Sequence, residues 1–488
     1  MISTGLAGQD TPSFRILSPS QLDMIHDASM QILAQTGVRV ESSEARALLE
    51  GAGAYVTAEA TVRIPARLVE WAVGVAPSNI TIYDRNGVEA MQLGRRRTYF
   101  GTGSDTPNVV DPYTGERRPA VLADVANFAR VSDALPNIDF VMCMGIASDM
   151  PSATAELHHF LAIVRNTTKP FVFTALDLAA AERLSDMAGR VVGGQDAFRE
   201  RPFALMYNEP VTPLGFARDN MDKLLFAAAH GIPSVFMSGM LAGGTGPVTA
   251  AGGLALANAE SLAGVLIAQL KCEGAPVVSG GGILGLDMRS MTPSYSSPEF
   301  MLTMAAIAEM AHYYGLPAWG YAGCSDAKTF DGQAAADTAE WVLMAALSGS
   351  NLVHDVGFLE SGLTSSFDEL VFADEVIGKC ARLLGGVDVD EESLAVRATS
   401  EVGAGGNFLA HRHTAKHFRE NWSPGLEDRL NYGSWVNAGS LTMADRVNAK
   451  VRQLLESHEP QPLPDAVDAE FLRAVEDAGL CDAVSVGS

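Results

Sequence analysis

The chain has 488 residues, 47% of them hydrophobic and 19% charged, enough to bury a large core and unlike a disordered composition. Its formal net charge of −24 argues against a nucleic-acid partner, which wants a basic face, and against an anionic membrane surface. Five scattered cysteines, Cys143, Cys272, Cys324, Cys380 and Cys481, form no CxxC pair, which favours reduced thiols in a cytoplasmic protein over a disulfide scaffold or a structural zinc site.

The opening MISTGLAGQDTPSF has no basic stretch followed by an apolar one, so no signal peptide is expected. Ser18 or Ser20 caps a predicted helix running toward Gly37, with Leu22, Ile25, Met30 and Leu33 on its apolar face. Further helices are expected near Ser43 to Gly51 and from Pro65 to Val75. NITIYDRNGVEAMQLG then alternates around Asn86-Gly87, a strong hairpin signal.

From Thr98 short apolar runs alternate with longer helical stretches, the pattern of βαβ units. Eight strand candidates stand at 98–104, 140–147, 170–176, 202–210, 233–240, 275–282, 317–323 and 351–357. Eight units suggest a (β/α)8 TIM barrel, although periodicity alone leaves an open doubly wound sheet in play. No GxGxxG opens the first unit and no P-loop is present. GGTGPV and GGGILG, after the fifth and sixth runs, read as tight βα turns. The apolar stretch 253–274 is broken by Asn258, Glu260, Gln269 and Lys271, so no membrane span is expected. The resulting division is an N-terminal helical and hairpin cap at 1–96, a barrel at 97–366 and a helical C-terminal extension at 367–488.

Barrel enzymes carry their chemistry at the C-terminal ends of the strands. Those ends hold Tyr99, Phe100 and Asp105; Tyr207 and Glu209; Tyr321, Cys324, Asp326 and Lys328; and His354, Asp355 and Phe358. Rings with carboxylates suit a desolvated cation, while core packing explains any one ring as well. An ion pair with Lys328 would explain Glu209 equally well. HRHTAKH, with His411, His413 and His417, lacks a carboxylate or Cys to complete a convincing ligand set, so no tightly bound metal is expected. No GxSxG elbow supports a serine nucleophile.

Several strings resemble the trimethylamine methyltransferase family. They are LSPSQLDMIHDASMQILAQTGVRV, VVDPYTGERRPAVLADVANFARVSDALPNID, TTKPFVF, GLPAWGYAGCSDAKTFDGQAAADTAEW, GSNLVHDVGFLESGLTSSFDELV and EVGAGGNFLAHRHTAKHFRENWSPGL, in family order over nearly the whole chain. The resemblance implies a barrel enzyme passing a methyl group to the cobalt of a corrinoid (cobalamin) carried by a partner protein. The family archetype uses pyrrolysine; this chain has ordinary residues throughout, including GYAGCSDAK. That departure places it with the members whose substrates are quaternary amines, glycine betaine leading. The expected cation cage is Tyr99, Phe100, Tyr207 and Tyr321, with Asp105 and Glu209 balancing charge. His354 would face the substrate or the corrinoid, and Lys328 would serve a substrate carboxylate. The alternatives are another betaine, carnitine or a methylamine as substrate, a zinc-dependent thiol methyltransferase, or a betaine-binding barrel without catalysis. Self-association into a homo-oligomer fits barrels of this size.

Overall fold

A computed structural model describes residues 1–3, 12–152, 154–469 and 471; Cys481 lies outside them. Seven parallel strands make the central sheet: β1 (Arg97–Thr102), β2 (Phe171–Phe173), β3 (Ala204–Asn208), β4 (Ser234–Ala242), β5 (Val277–Asp287), β6 (Ala318–Tyr321) and β7 (Leu352–Val356). They pair in the order β1-β7-β6-β5-β4-β3-β2. The gap between β1 and β2 is filled by two parallel bridges, Gly101–Phe140 and Val141–Phe171. All eight positions of the ring are therefore occupied, and the chain is a (β/α)8 barrel whose second stave is reduced to Phe140 and Val141. The Asp139 amide donates to the Phe100 carbonyl at 2.6 Å and the Val141 amide to the Pro170 carbonyl at 2.9 Å.

The eight stave positions coincide with the eight apolar runs in the sequence, because a parallel strand covered on both faces must be apolar on both. Inside the ring sit Phe100, Phe140, Leu205, Met237 and Trp319, all buried. One expectation is corrected. GGGILG is not a turn; it is part of β5, which runs on to Asp287. Its glycines thin the strand where bulky neighbours cross it. A Cβ on Gly280 would stand 2.7 Å from the Trp319 Cβ, and one on Gly282 3.1 Å from the Tyr321 hydroxyl.

Before the barrel, α1 (Pro19–Gln31) opens on Ser18, whose hydroxyl accepts from the Gln21 amide in a capping box. Ile80–Tyr83 and Glu89–Leu93 form the expected hairpin around Gly87, whose φ of 77° the turn requires. The helix after β4, α2 (Ala250–Lys271), is long and apolar enough to cross a membrane by length and composition alone, but most of it is buried inside the protein. It packs beside α3 (Pro298–Tyr314), the helix after β5. Its Glu260 is no membrane residue either: the carboxylate accepts from Thr212 Oγ1 at 3.0 Å and from the Ser238 hydroxyl.

After β7, α4 (Phe367–Leu384) covers the barrel and is itself covered by α5 (Met443–Ser457). Between them, residues 385–441 hold only short helices, Val396–Val402, Arg412–His417 and Tyr432–Asn437.

Candidate active site

A cavity of about 430 Å³ opens at the C-terminal ends of the strands, where the βα loops converge. Its lining includes Asp105, Tyr207, Glu209, Lys223, Tyr295, Tyr321, His354, Asp355 and Phe358. Seven residues named at the strand ends from the sequence, Asp105, Tyr207, Glu209, Tyr321, His354, Asp355 and Phe358, thus meet around one space.

His354 and Asp355 are consecutive, and on a regular strand they would face opposite sides of the sheet. A register irregularity between Val353 and Val356 and a φ of 75° at Asp355 bring both to the cavity. A non-glycine residue in the left-handed region carries local strain, a feature that clusters at functional sites. His354 Nδ1 donates to the Gly320 carbonyl at 2.9 Å, and its Nε2 lies 3.2 Å from Asp355 Oδ1. Burial pushes the imidazole down to about 3 and the Asp355 carboxyl well above its usual range. Both shifts favour a neutral imidazole accepting the proton of a neutral carboxylic acid. Asp355 Oδ2 is buried and has no hydrogen-bond partner. The His354 ring is sandwiched by Trp319 and Tyr321, with centroids 4.5 and 4.3 Å away.

On the opposite wall the Tyr207 hydroxyl donates to Glu209 Oε2 at 3.1 Å, beside Met237 Sδ at 2.8 Å. Water in the open cavity reaches Glu209, yet its depth still raises its carboxyl above the ordinary value, the Tyr207 bond opposing. Asp105 sits at φ 61°, its amide tied to the Cys143 carbonyl at 2.7 Å. Burial raises its carboxyl against hydrogen bonds from Ser104 and Thr174. Lys223 reaches in from the helix Arg218–His230 and donates to the Ala175 carbonyl at 2.6 Å; burial lowers its ammonium against the pull of Glu156 and other acids.

Tyr295, not singled out from the sequence, follows a short strand, Thr292–Ser294, that folds back antiparallel on the end of β5. Asp326 holds this loop in place. Its carboxylate accepts from Ser294 Oγ at 2.5 Å, the Tyr295 amide at 2.8 Å and Ser361 Oγ at 2.7 Å. Burial would raise Asp326, but these donors together keep it below its usual value. Phe358 closes the wall over Gly103, where a Cβ would stand 2.1 Å from the ring.

Tyr99, Phe100 and Lys328 are not brought to the cavity, a correction to the expected cage. Tyr99 and Phe100 stand early in β1, below the strand end; the Tyr99 hydroxyl accepts from the Gln92 amide at 2.9 Å, in the hairpin before the barrel. Phe100 is packed in the barrel core. Lys328 is exposed on the loop after β6, its ammonium donating to the Asp326 carbonyl at 2.6 Å. Lys223 is the lining cation instead, and its place on a helix hid it from a search of strand ends. His411 and His417 pair with Glu401 and with Glu392 and Glu420. Among the described residues no group of three or more His, Cys, Asp or Glu is arranged to hold a metal ion.

Four rings, Tyr207, Tyr295, Tyr321 and Phe358, therefore surround a space edged by three carboxyls, Asp105, Glu209 and Asp355. Ring faces attract a cation through their quadrupoles, by about 2 kcal/mol when it is desolvated. Burial raises the proton affinity of all three carboxyls, and an arriving cation would favour their ionised form.

The profile of the trimethylamine methyltransferase (MTTB) family matches residues 5–477. The trimethylamine methyltransferase MttB of Desulfitobacterium hafniense strain DCB-2 is 32% identical over 478 residues, covering 98% of this chain and 96% of that protein. The glycine betaine methyltransferase of D. hafniense strain Y51 is also 32% identical, over 467 residues, 95% of this chain and 97% of that one. Among solved structures, the Methanosarcina barkeri monomethylamine methyltransferase superposes with a TM-score of 0.51 at 12% identity, covering 92% of this chain and 89% of that one. At that identity the likeness shows the fold alone.

Proposed function

The chain belongs to the trimethylamine methyltransferase family, and on that premise we propose that this methyltransferase takes a methyl group from a small quaternary ammonium compound. Glycine betaine is the leading substrate, and the acceptor is the Co(I) of a corrinoid carried by a separate protein in the cytoplasm. The observation that carries the reading is the cage of four rings with three carboxyls of raised proton affinity around one cavity. The 32% identity to a glycine betaine methyltransferase supports the substrate class.

In this reaction one methyl–nitrogen bond breaks as a methyl–cobalt bond forms. The electron pair of the broken bond stays on nitrogen, and a neutral tertiary amine leaves, so no proton need move. The residues of the chain orient the ammonium so that one methyl faces the acceptor. They also stabilise the cation without trapping it, because the positive charge on nitrogen is lost in the reaction. Tyr207, Tyr295, Tyr321 and Phe358 supply ring faces. Glu209, oriented by Tyr207, and Asp105 balance charge. His354 fixes Asp355 through their shared proton. Lys223 is placed to meet the carboxylate of a betaine.

One observation favours a second reading. The unpartnered Oδ2 of Asp355 is a hydrogen-bond acceptor, which a quaternary ammonium group cannot satisfy. A substrate that also carries a hydroxyl, as carnitine does, would satisfy it.

The test is to mix the purified protein with cob(I)alamin under strict anaerobiosis, add glycine betaine, and follow the visible spectrum. Conversion to methylcobalamin is the expected result. Conversion only with carnitine or another quaternary amine keeps the chemistry and changes the substrate. No conversion across the panel, from a folded protein that still binds a betaine, overturns the transfer reading in favour of a binding protein.

A further inference from the structure

One carboxylate joins the loops that carry half of the ring cage. Asp326 follows β6, and five donors converge on it. Four belong to Ser294, Tyr295 and Ser296, in the fold-back after β5. The fifth is the hydroxyl of Ser361, 35 residues further along the chain in the loop after β7. Bonds to the fold-back alone would pin one loop; the bond to Ser361 ties that loop to a second one.

Oδ1 is the atom that joins them. It accepts from the Tyr295 amide at 2.8 Å and from the Ser361 hydroxyl at 2.7 Å, so one oxygen sets the spacing between the two loops. The residue after Ser361, Gly362, lies between two rings of the cage. A Cβ there would stand 3.3 Å from Tyr295 Cζ and 3.6 Å from Phe358 Cδ2. Glu360 and Ser361 both have a φ of 54°, a conformation that non-glycine residues keep only when their surroundings hold them.

Tyr295 needs such a tether. The antiparallel pairing with β5 ends at Ser294, one residue before it. Its carbonyl accepts from Trp341 Nε1 at 2.8 Å, and its amide has Asp326. All five donors to Asp326 are neutral groups. Burial would raise its carboxyl, but their hydrogen bonds keep it below the usual value, and an ionised acceptor makes the stronger bonds.

We propose that Asp326 is a positioning residue for the methyl donor. By holding Tyr295 and Ser361 on one oxygen it seats the Tyr295 ring on Gly362 beside Phe358, and so fixes the wall against which the ammonium group lies. Asp326 does not line the cavity; it acts through Tyr295. The proposal rests on the reading of this cavity as an ammonium site. Ring-face attraction acts only on a cation close to the ring centroid, so a ring that drifts with its loop loses much of it.

The experiment measures binding of tetramethylammonium chloride to the full-length protein by titration calorimetry. It compares the wild type, Asp326→Asn, Tyr295→Ala and the double variant. Asparagine keeps the size of the side chain but only one acceptor oxygen, and its NH2 group meets donors where the second stood. Each single variant should raise Kd by about tenfold or more. The double variant should be little worse than either, because both changes remove the same wall. Ser361→Ala leaves the carboxylate and its charge in place and should raise Kd by about three- to tenfold. Circular dichroism checks the fold of each variant, and Ser361→Ala takes the place of Asp326→Asn in the cycle if the latter does not fold.

Single effects that multiply in the double variant would mean that Asp326 acts apart from Tyr295, through its charge, and overturn the positioning role. Wild-type affinity in Ser361→Ala, or in Tyr295→Ala, overturns it as well. A folded wild type that does not bind tetramethylammonium at all overturns the ammonium-site reading itself, and this proposal with it.

Discussion

His354 Nε2 lies 3.2 Å from Asp355 Oδ1, while the other ring nitrogen is committed to the Gly320 carbonyl. A single proton therefore serves the Nε2–Oδ1 line, and the pair is neutral overall wherever that proton sits. A cation entering the cavity changes this balance, because it favours an ionised Asp355 and a charged His354 less than it favours loss of the proton altogether.

Cation binding should accordingly release protons. Asp105, Glu209 and Asp355 all have carboxyls raised by burial, so a bound ammonium, which favours their ionised form, should displace whatever protons they carry. Affinity for glycine betaine or tetramethylammonium should rise with pH and fall as the carboxyls protonate. Titration calorimetry in two buffers of different ionisation enthalpy measures the release, and Asp355→Asn should reduce it. Equal heats in both buffers would sink the idea.

Tyr207→Phe removes the donor to Glu209 and leaves the ring in place. A hydrogen bond to a charged group contributes about 1.5–3 kcal/mol, so substrate affinity should weaken by at least about tenfold. Glu209→Gln should weaken it by a similar amount. Normal Kd values for both variants would remove this wall from the site.

The two lysines separate by substrate. Lys223→Met should raise KM about tenfold or more for glycine betaine and leave the Kd of tetramethylammonium, which has no carboxylate, nearly unchanged. Lys328→Ala should change neither, because Lys328 is exposed and off the cavity. A selective effect of Lys328 and none of Lys223 would reverse the assignment.

Away from the site, Glu369 predicts the pH dependence of stability. It is fully buried in the first turn of α4, accepts from the Thr338 hydroxyl, and its Oε2 has no partner. Burial raises its carboxyl from 4.5 to about 8. The folded state then binds the proton more tightly than the unfolded one. Its contribution is fully present below pH 4.5 and is lost as pH rises to about 8, by up to ~1.4 kcal/mol per pH unit. Urea melts at pH 5 and pH 8 should show a smaller loss for Glu369→Gln than for the wild type.

The ring of strands was legible because each stave is an apolar run of the right length between turn residues. Phe140 and Val141 are the exception in kind: the run 140–147 is apolar enough for a strand, but only two of its residues pair. Sequence pattern reports burial, and burial does not require a full ladder. The strand-end rule reached Asp105, Tyr207, Glu209, Tyr321, His354, Asp355 and Phe358 because those positions are fixed by where a run stops. It missed in both directions where position along the strand or a returning loop decides. Tyr99 and Phe100 belong to the right strand at the wrong height. Tyr295 arrives through a fold-back after β5, held by Asp326 across 31 residues of sequence, and no periodicity announces that. Asp355 is named beside His354, but strict alternation would turn one of the two away; a φ of 75° at Asp355 brings both to the cavity.

The reduced second stave makes the hoop of the barrel thinnest between β1 and β2. There the Thr102 hydroxyl receives the Met142 amide at 2.8 Å, a side chain standing in for a ladder bond. A cooperative ring opens first where the fewest backbone bonds must break. The amides of Val141 and Met142 should therefore be the first in the barrel to exchange with solvent. Asp105 hangs from the neighbouring Cys143 carbonyl, so the wall of the cavity it occupies is the one that can yield to a bulkier guest while the Tyr321–His354 wall stays rigid.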